Sequence, residues 1–291
     1  MRLLDALKSS TEFLEKAGVD DAFADSEMLV LHASGADRLS SYMDNPEISK
    51  GLQAKIRRLV RRRAKGEPVQ YIVGQVEFFG LKIHIGKGVL IPRPETELLA
   101  EDAIKAVSRG RVTLPLQILD LCTGSGCIAI ALAKAFPDSR VYGTDVSKTA
   151  IRYAKKNAAG SAVENVTFLQ GSLYLPLKRS LCFDLIVSNP PYVKRGDIDG
   201  LQREIKEWEP LEALDGGGDG LDFYRSIFTD APKYLCRGGR ILVELGFGQA
   251  EDVKMLAMRQ GFGTIEVRKD YAGIERILKA ELRSQDTATI K

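Results

Sequence analysis

The chain has 291 residues, of which 44% are hydrophobic and 28% are charged. This is an ordinary globular composition, and it excludes a disordered chain, a collagen and a coiled coil. The 42 lysine and arginine residues against 39 aspartate and glutamate residues leave a net charge of +3, too small to indicate nucleic-acid binding by itself. At roughly 150 residues per domain, the length predicts about two domains, or one large domain with an appendage.

Targeting and redox features favour a cytoplasmic protein. The first eighteen residues contain three acids, where a signal peptide needs an uninterrupted apolar core. The longest uncharged run, residues 121–133, is shorter than the ~20 apolar residues of a membrane span. The four cysteines include no C-x-x-C pair, and the two histidines are far apart in the sequence. We therefore expect a reducing compartment, no metal site and no membrane contact.

Three helices are predicted in the first part of the chain. The first covers residues 2–17, with leucines at helical spacing. The second begins at Asp20 or Asp21 and ends at Gly35. Its predicted inward face consists of Ala24, Met28 and Leu31. A short third helix is expected over residues 37–43.

A fourth helix is predicted from Ser49 to Gly66, and it contains a basic run. Residues 55–65 include seven basic side chains and no acid. One face would bury Ile56, Leu59 and Val60, and another would carry Arg58, Arg61, Arg62 and Lys65. Two interpretations remain open: a solvated helix face, or a surface that docks a nucleic acid or an acidic protein.

A change of hydrophobic period marks the boundary between two predicted domains. From Val69 the period becomes two, which predicts extended segments in a β-hairpin linker over residues 69–90. The linker would join a helical domain, residues 1–68, to a second domain, residues 91–291.

Strands and helices alternate in this second domain. A helix is expected after Ile91–Glu97, extending to Val107. The predicted strands are Gln117–Leu121, Arg140–Asp145, Asn165–Leu169, Cys182–Ser188, Arg240–Leu245, Thr264–Lys269 and Arg276–Leu282. The predicted helices between them are Ser125–Phe136, Ser147–Ala159, Asp222–Tyr234 and Gln249–Gln260. This alternation predicts an α/β fold with a mostly parallel sheet that is covered on both faces.

A glycine-containing turn follows the first strand of this domain. Gly124 and Gly126 allow the backbone to approach a ligand, and the next helix offers its first N–H groups. Asp145 ends the following strand, where its carboxylate could accept hydrogen bonds from both ribose hydroxyls. This pattern indicates a nucleoside-binding site. Together with Ala129, the glycines also fit G-x-G-x-x-A, so the turn alone does not distinguish NAD from S-adenosylmethionine.

The tetrapeptide Asn189-Pro190-Pro191-Tyr192 follows the fourth strand and indicates the chemistry. The prolines lack N–H donors, so nearby carbonyls are left without local partners. Asn189 adds a side-chain acceptor, and Tyr192 could form an aromatic wall. Two acceptors suit a planar NH₂ group, whose nitrogen they hold in line with an electrophile such as a sulfonium methyl group. In the alternative, an NAD dehydrogenase, Tyr192 would have to transfer protons.

Asn-Pro-Pro-Tyr is shared by amino-methyltransferases that act on DNA adenine, ribosomal RNA guanine and protein glutamine. Further stretches narrow this resemblance. They are residues 61–74, 78–81, 89–97, 213–217, 219–221 and 244–246. With them the chain, from about residue 55 to 280, resembles the HemK/PrmC family of release-factor glutamine methyltransferases.

The resemblance implies a Rossmann-like class I methyltransferase fold with a seven-stranded sheet. It also implies transfer of a methyl group from S-adenosyl-L-methionine to the side-chain amide nitrogen (N5) of the glutamine in the Gly-Gly-Gln motif of class-one peptide chain release factors. The implied catalytic residues are Asn189, Pro190, Pro191 and Tyr192. The implied cofactor residues are Cys122, Thr123, Gly124, Ser125, Gly126, Asp145, Leu173 and Asn189. Cys122 stands where many relatives have glycine, and Leu173 where some have an aromatic residue.

The implied partner is a release factor that the helical domain helps to bind. Methylation of a ribosomal protein glutamine, or of an exocyclic amine of DNA or RNA, remains an alternative. The acidic segment 196–220 disfavours a nucleic-acid substrate. A non-enzymatic scaffold would leave Asp145 and Asn189 unexplained. The sequence does not indicate an oligomeric state.

Overall fold

The computed structural model describes residues 1–108 and 115–283, which divide into two compact units. The first unit comprises Met1–Gln75, Ile85–Lys87 and Leu201–Glu209, and the second comprises the rest. Residues 109–114 and 284–291, which belong to the predicted 91–291 domain, lie outside the described residues.

The first unit is built on four helices whose predicted positions are confirmed. They are α1 (Leu3–Lys16), α2 (Ala22–Ser34), α3 (Arg38–Asp44) and α4 (Lys50–Arg63). The side chains of Asp37 and Ser49 accept backbone N–H groups at the starts of α3 and α4. Gly35 ends α2 in the left-handed conformation, which glycine adopts without steric cost. Leucines from α1, α2 and α4 fill the core between these helices.

The predicted inward face of α2 is wrong. Ala24 and Met28 are exposed, and Leu31 is half-buried. The buried residues are Ala22, Asp25, Ser26, Leu29, Val30 and Ala33. The helix is rotated relative to the prediction because its buried face includes a charged residue, Asp25, which a search for apolar residues passes over.

The predicted linker is a hairpin preceded by a short helix. Val69–Val73 is helix α5, so the extended structure expected for these residues is wrong. Gly74 ends the helix with a φ of 81°. The hairpin itself is confirmed as β1 (Gln75–Phe78) paired with β2 (Leu81–His84). Packing against the helical core overrides the strand preference of α5, since three of its five residues are buried.

The second unit contains the predicted alternation. Its strands are β3 (Gln117–Leu121), β4 (Arg140–Asp145), β5 (Val166–Gln170), β6 (Phe183–Ser188), β7 (Leu235–Glu244), β8 (Phe262–Lys269) and β9 (Glu275–Leu282). Its helices are α6 (Pro94–Ser108), α7 (Cys127–Ala135), α8 (Lys148–Gly160), α10 (Asp222–Tyr234) and α11 (Ala250–Arg259). A further helix, α9 (Arg203–Trp208), belongs to the first unit. Two of these predicted elements differ by more than two residues. Strand β7 begins earlier, at Leu235, and helix α6 begins at Pro94 instead of after Glu97.

The seven strands form one sheet in the order β5-β4-β3-β6-β7-β9-β8. All pairs are parallel except those of β9, which is antiparallel to both neighbours. The chain order reverses between β3 and β6, so a crevice opens there at the carboxyl ends of the strands. Leu121 of β3 is in register with Ser188 of β6, which is in register with Val243 of β7. The residues that follow, Cys122, Asn189 and Glu244, therefore lie side by side.

A buried ion cluster joins α2, α4 and α9 within the first unit. Arg63 Nε lies 2.5 Å from Asp25 Oδ2, and its Nη2 lies 2.7 Å from Glu204 Oε1. Arg63 and Asp25 are both buried. The first unit thus includes a segment from far along the chain, outside the predicted 1–68 domain.

Two cysteines form a pair that the sequence spacing did not predict. Cys182 and Cys236 are neighbours, with their Cα atoms 5.1 Å apart. Cys122 and Cys127 are free. Phe183 and Leu235 are in register, so this cysteine pair lies at the amino ends of β6 and β7, away from the strand ends that line the crevice.

Candidate active site

A cavity of about 220 Å³ lies at the carboxyl ends of the parallel strands in the second unit. It brings together most of the predicted site residues. Those in its lining are Cys122, Thr123, Gly124, Ser125, Asp145, Leu173, Asn189 and Pro191. Three others, Gly126, Pro190 and Tyr192, do not line it.

The two glycines of the turn have different roles. A Cβ at Gly126 would lie 2.9 Å from the Ala154 Cβ, closer than real Cβ atoms come, and 3.0 Å from the Phe168 ring. A Cβ at Gly124 would meet nothing nearer than the Cys122 carbonyl, at 4.0 Å. Gly126 therefore allows α7 and α8 to pack closely, whereas Gly124 faces open space in the cavity.

Cys122 and Leu173 both have left-handed backbones. Their φ angles are 57° and 47°, in a region that costs a non-glycine residue on the order of 1–3 kcal/mol. Both residues line the cavity. Cys122 thus adopts the left-handed conformation that the family resemblance implies for its position. Burial raises the pKa of its thiol, so the side chain remains neutral.

Asp145 is held by two backbone groups. Its Oδ2 accepts the N–H of Gly124 at 2.9 Å, and its Oδ1 accepts the N–H of Ser147 at 2.8 Å. Burial raises the pKa of the Asp145 carboxyl, while these two hydrogen bonds lower it. A carboxylate oxygen can accept more than one hydrogen bond, so both oxygens retain capacity for hydroxyl groups of a ligand in the cavity.

Asp120, in β3, stabilises the glycine-containing turn, a role that the sequence analysis missed. Its Oδ2 accepts the Thr123 hydroxyl at 2.5 Å and the Ala129 N–H at 3.2 Å. Its Oδ1 is buried and has no hydrogen-bond partner among residues 1–108 and 115–283. Burial raises the pKa of Asp120 to about 7. An aspartate inside an otherwise apolar strand, ILDLC, was the available signal.

Asn189 belongs to a hydrogen-bonded chain of side chains. Its Nδ2 donates to Thr96 Oγ1 at 3.1 Å, and Thr96 donates to Glu244 Oε2 at 2.7 Å. Tyr192 donates to Glu244 Oε1 at 3.3 Å. The Asn189 amide nitrogen is thus used within the protein, which leaves its carbonyl oxygen as the group available for a ligand.

The Tyr192 ring packs against the core of the second unit instead of lining the cavity. Its backbone carbonyl accepts a hydrogen bond from Gln249 Nε2 at 3.0 Å. Phe223 supplies an aromatic ring to the cavity lining. Tyr192 therefore acts on the site through Glu244, and the predicted aromatic wall is provided by another residue.

Glu244 is the acidic residue of this network, and it is almost completely buried, with an exposed fraction of 1%. Burial raises the pKa of its carboxyl to about 7, although the Thr96 and Tyr192 hydrogen bonds lower it. Within the described parts of the chain, no cluster of three histidine, cysteine or acidic residues is arranged to hold a metal ion.

Two family models match the two parts of the chain. The PrmC N-terminal domain matches residues 5–74, and a methyltransferase domain matches residues 115–260. The release factor glutamine methyltransferase of Thermodesulfovibrio yellowstonii is 46% identical over 254 residues, which cover 87% of this chain and 90% of that protein. The chain belongs to the release factor glutamine methyltransferase family. A second member, from Geobacter sulfurreducens, is 46% identical over 91% of this chain and 92% of its own length.

Solved structures confirm the class I methyltransferase fold. The 16S rRNA N2 G1207 methyltransferase of T. thermophilus, in complex with AdoMet and guanosine, aligns with a TM-score of 0.54 at 20% identity. The alignment covers 72% of this chain and 50% of that one. Across residues 1–108 and 115–283, no helix combines the length and the apolar character that a membrane crossing needs.

Proposed function

We propose that this member of the family transfers a methyl group from S-adenosyl-L-methionine to the side-chain N5 of the glutamine in the Gly-Gly-Gln motif of class-one peptide chain release factors. The observation that carries the proposal is the Asn189 amide, whose nitrogen is bound by Thr96 and whose oxygen is left for a substrate NH₂ group. The family relationship supports the release factor as substrate. The reaction would take place in the cytoplasm, with translation.

The residues around the cavity fit S-adenosyl-L-methionine. Gly124 leaves open space at the turn, and Asp145 offers two oriented carboxylate oxygens for ribose hydroxyls. Apolar residues that suit an adenine ring line the same cavity, and they include Val89, Leu90, Ile128 and Leu173. When bound, this cofactor supplies an electrophilic methyl group on its sulfonium.

The protein's part in the transfer is to prepare a poor nucleophile. An amide nitrogen delocalises its lone pair, and acceptors on both N–H hydrogens favour the localised pair. Asn189 Oδ1 would hold one hydrogen, and a backbone carbonyl of the Pro190-Pro191 segment would hold the other. The N–C bond would form in line with the S–CH₃ bond that breaks, which leaves a neutral thioether, and the nitrogen would then lose one of its two protons to water.

The helical domain, residues 1–68, would contribute to release factor binding. Arg57, Arg58, Arg61, Arg62 and Lys65 line one shallow depression on α4. Arg62 is paired with Glu67, with Nη2 and Oε1 2.5 Å apart. We include the other four cations in the proposal as a surface for an acidic face of the release factor. The methyltransferase domain, residues 91–291, would supply the chemistry.

A labelling experiment tests the proposed substrate. Purified enzyme and labelled S-adenosyl-L-methionine would be offered a release factor, its Gly-Gly-Ala variant, ribosomal subunits and duplex DNA in separate reactions. Label on the release factor alone, and none on the variant, is the expected result. Label on ribosomal protein or DNA, with none on the release factor, would contradict the proposal.

A further inference from the structure

The side-chain amide of Asn189 can face the cavity in two ways, and only one is productive. With Oδ1 toward the substrate, it accepts a hydrogen from an NH₂ group. With Nδ2 toward the substrate, it presents a donor to another donor. The prolines that follow have no N–H groups to fix the choice. The orientation must therefore come from the partner on the other side of the amide, which is Thr96.

Thr96 lies in α6, and its hydroxyl is directed by Glu244. A hydroxyl has a single proton to donate, whereas an ionised carboxylate only accepts. The Thr96 proton is therefore committed to Glu244 Oε2, at 2.7 Å. Thr96 Oγ1 is left as an acceptor, so Asn189 must turn its Nδ2 toward it, at 3.1 Å. Tyr192, which donates to the other carboxylate oxygen, helps to hold Glu244 in place.

The side chains of this hydrogen-bond network, Asn189, Thr96 and Glu244, are held in place. Thr96 is 2% exposed and Glu244 is 1% exposed, so water does not compete for their hydrogen bonds. Asn189 and Glu244 each follow a residue of the same registered pair, Ser188 and Val243, which places them at adjacent strand ends. The order amide donor, hydroxyl, carboxylate thus leads from the cavity lining to the buried contact between α6 and the end of β7.

We infer that Thr96 and Glu244 are positioning residues that fix the Asn189 amide with its carbonyl oxygen toward the substrate. This inference rests on the proposed function. It also assigns substrate selectivity: an acceptor facing the cavity binds the NH₂ of glutamine and repels the carboxylate of glutamate, which offers no donor. An inverted Asn189 would reduce that discrimination.

The test compares Thr96→Val, which removes the hydroxyl at nearly constant volume, with Thr96→Ser, which retains it. Methyl transfer to the release factor is measured at saturating cofactor. Calorimetry gives the affinity of each enzyme for release factor and for its Gly-Gly-Glu variant. Thr96→Val should lower kcat about 10- to 100-fold and reduce the preference for glutamine over glutamate about tenfold, with cofactor affinity within about threefold. Thr96→Ser should restore most of both values.

Tyr224→Phe is the matched control. The Tyr224 hydroxyl donates to the backbone carbonyl of Glu244 at 2.8 Å. Tyr224→Phe therefore removes a hydrogen bond to the same residue and leaves the hydrogen bonds of its carboxylate intact. It should lower the melting temperature and leave the glutamine preference unchanged. An equal loss of preference in Tyr224→Phe and Thr96→Val would overturn the inference.

Two further results separate the inference from the proposed function. If wild type does not methylate the release factor, the proposed function fails. If wild type is active and folded Thr96→Val keeps its kcat and its preference, only the inference fails. If Thr96→Val does not fold, Glu244→Gln provides the test. The new side-chain amide can donate to Thr96 Oγ1, so that the Thr96 hydroxyl donates to Asn189 and the direction of the hydrogen bonds is reversed. A reduced glutamine preference supports the inference, and an unchanged one overturns it.

Discussion

Asp145 at the end of β4 accepts the backbone N–H of Gly124, 21 residues earlier in the chain, at 2.9 Å. This hydrogen bond ties the acid proposed to hold the ribose to the turn proposed to approach the rest of the cofactor. The two elements are therefore one preorganised unit, and a change at Asp145 acts on both.

Asp145→Ala is expected to weaken cofactor binding. Hydrogen bonds to a charged acceptor contribute about 1.5–3 kcal/mol, which corresponds to roughly 10- to 150-fold in affinity. Asp145→Asn, which retains one acceptor oxygen, should lose less. Calorimetry with S-adenosyl-L-methionine measures both. Wild-type affinity in Asp145→Ala would show that the carboxylate does not contact the cofactor.

Asn189→Ala is expected to have the opposite profile. It removes an acceptor whose hydrogen bond strengthens as positive charge develops on the substrate nitrogen, so kcat should fall about 10²-fold or more. Cofactor affinity should change far less than in Asp145→Ala. Single-turnover transfer at saturating cofactor makes the comparison. Near-normal turnover would be incompatible with the amide-clamp mechanism.

The sequence analysis predicted the site residues that directly follow a strand. It missed the residues that only tertiary packing brings together. Gly124, Asp145 and Asn189 follow predicted strands, so their convergence follows from the parallel arrangement alone. Thr96 and Glu244 are 148 residues apart, and the packing of α6 against β7 brings them together. Hydrophobic periodicity does not identify buried polar groups such as these, because it reports apolar positions and not hydrogen bonds.

The same limit explains the errors outside the site. Asp25 is buried because Arg63 pairs with it, and this pairing sets the rotation of α2. The short helix α5 has an alternating pattern that favours a strand, but its tertiary contacts favour a helix. Boundaries set by caps, such as Ser49 and Gly35, were accurate because their causes lie within a few residues.

Activity is expected to fall as the pH drops through about 7, if Glu244 must be ionised to accept the Thr96 proton. Burial raises the pKa of Glu244 to about 7; nearby Glu95 also raises it, while Arg276 and the hydrogen bonds from Thr96 and Tyr192 lower it. Asp120 has a pKa raised to about 7 as well, by burial. The pH profile of kcat in Glu244→Gln distinguishes the two. Loss of the acidic limb assigns it to Glu244, and an unchanged limb would contradict the expectation.

The pH dependence of stability provides an independent measurement of Glu244. Its pKa in the folded state lies above the ordinary value of 4.5, so the folded state binds the proton more tightly than the unfolded chain. The corresponding stabilisation is present below about pH 4.5 and is lost as the pH rises to about 7. The wild type should therefore lose up to about 3 kcal/mol relative to Glu244→Gln across this range. The free energy of unfolding in urea is measured for both proteins at several pH values. The same pH dependence in the wild type and in Glu244→Gln would contradict this expectation.

Arg63→Met is expected to destabilise the helical unit by about 3–5 kcal/mol, because it leaves Asp25 as a buried, unpaired charge. Glu204 is more exposed and can be hydrated. The double variant Arg63→Met with Asp25→Leu should recover most of the loss, since no charge then remains buried. Urea unfolding of the full chain measures each. Equal stability of the single and double variants would exclude the unpaired charge as the cause.

The basic face of α4 should produce a salt-dependent interaction if it binds an acidic face of the release factor. Arg57, Arg58 and Arg61 are exposed, and replacing them by Gln leaves the Arg62–Glu67 pair intact. This triple variant should raise the KM for the release factor and flatten its increase with salt, because screening acts on charges that are no longer there. The KM for the cofactor should stay constant. A matched triple variant of exposed lysines on α1 and α4, with Lys8, Lys16 and Lys50 changed to Gln, removes the same charge from other positions. If both triple variants respond to salt as the wild type does, the cluster is a solvated surface with no part in binding.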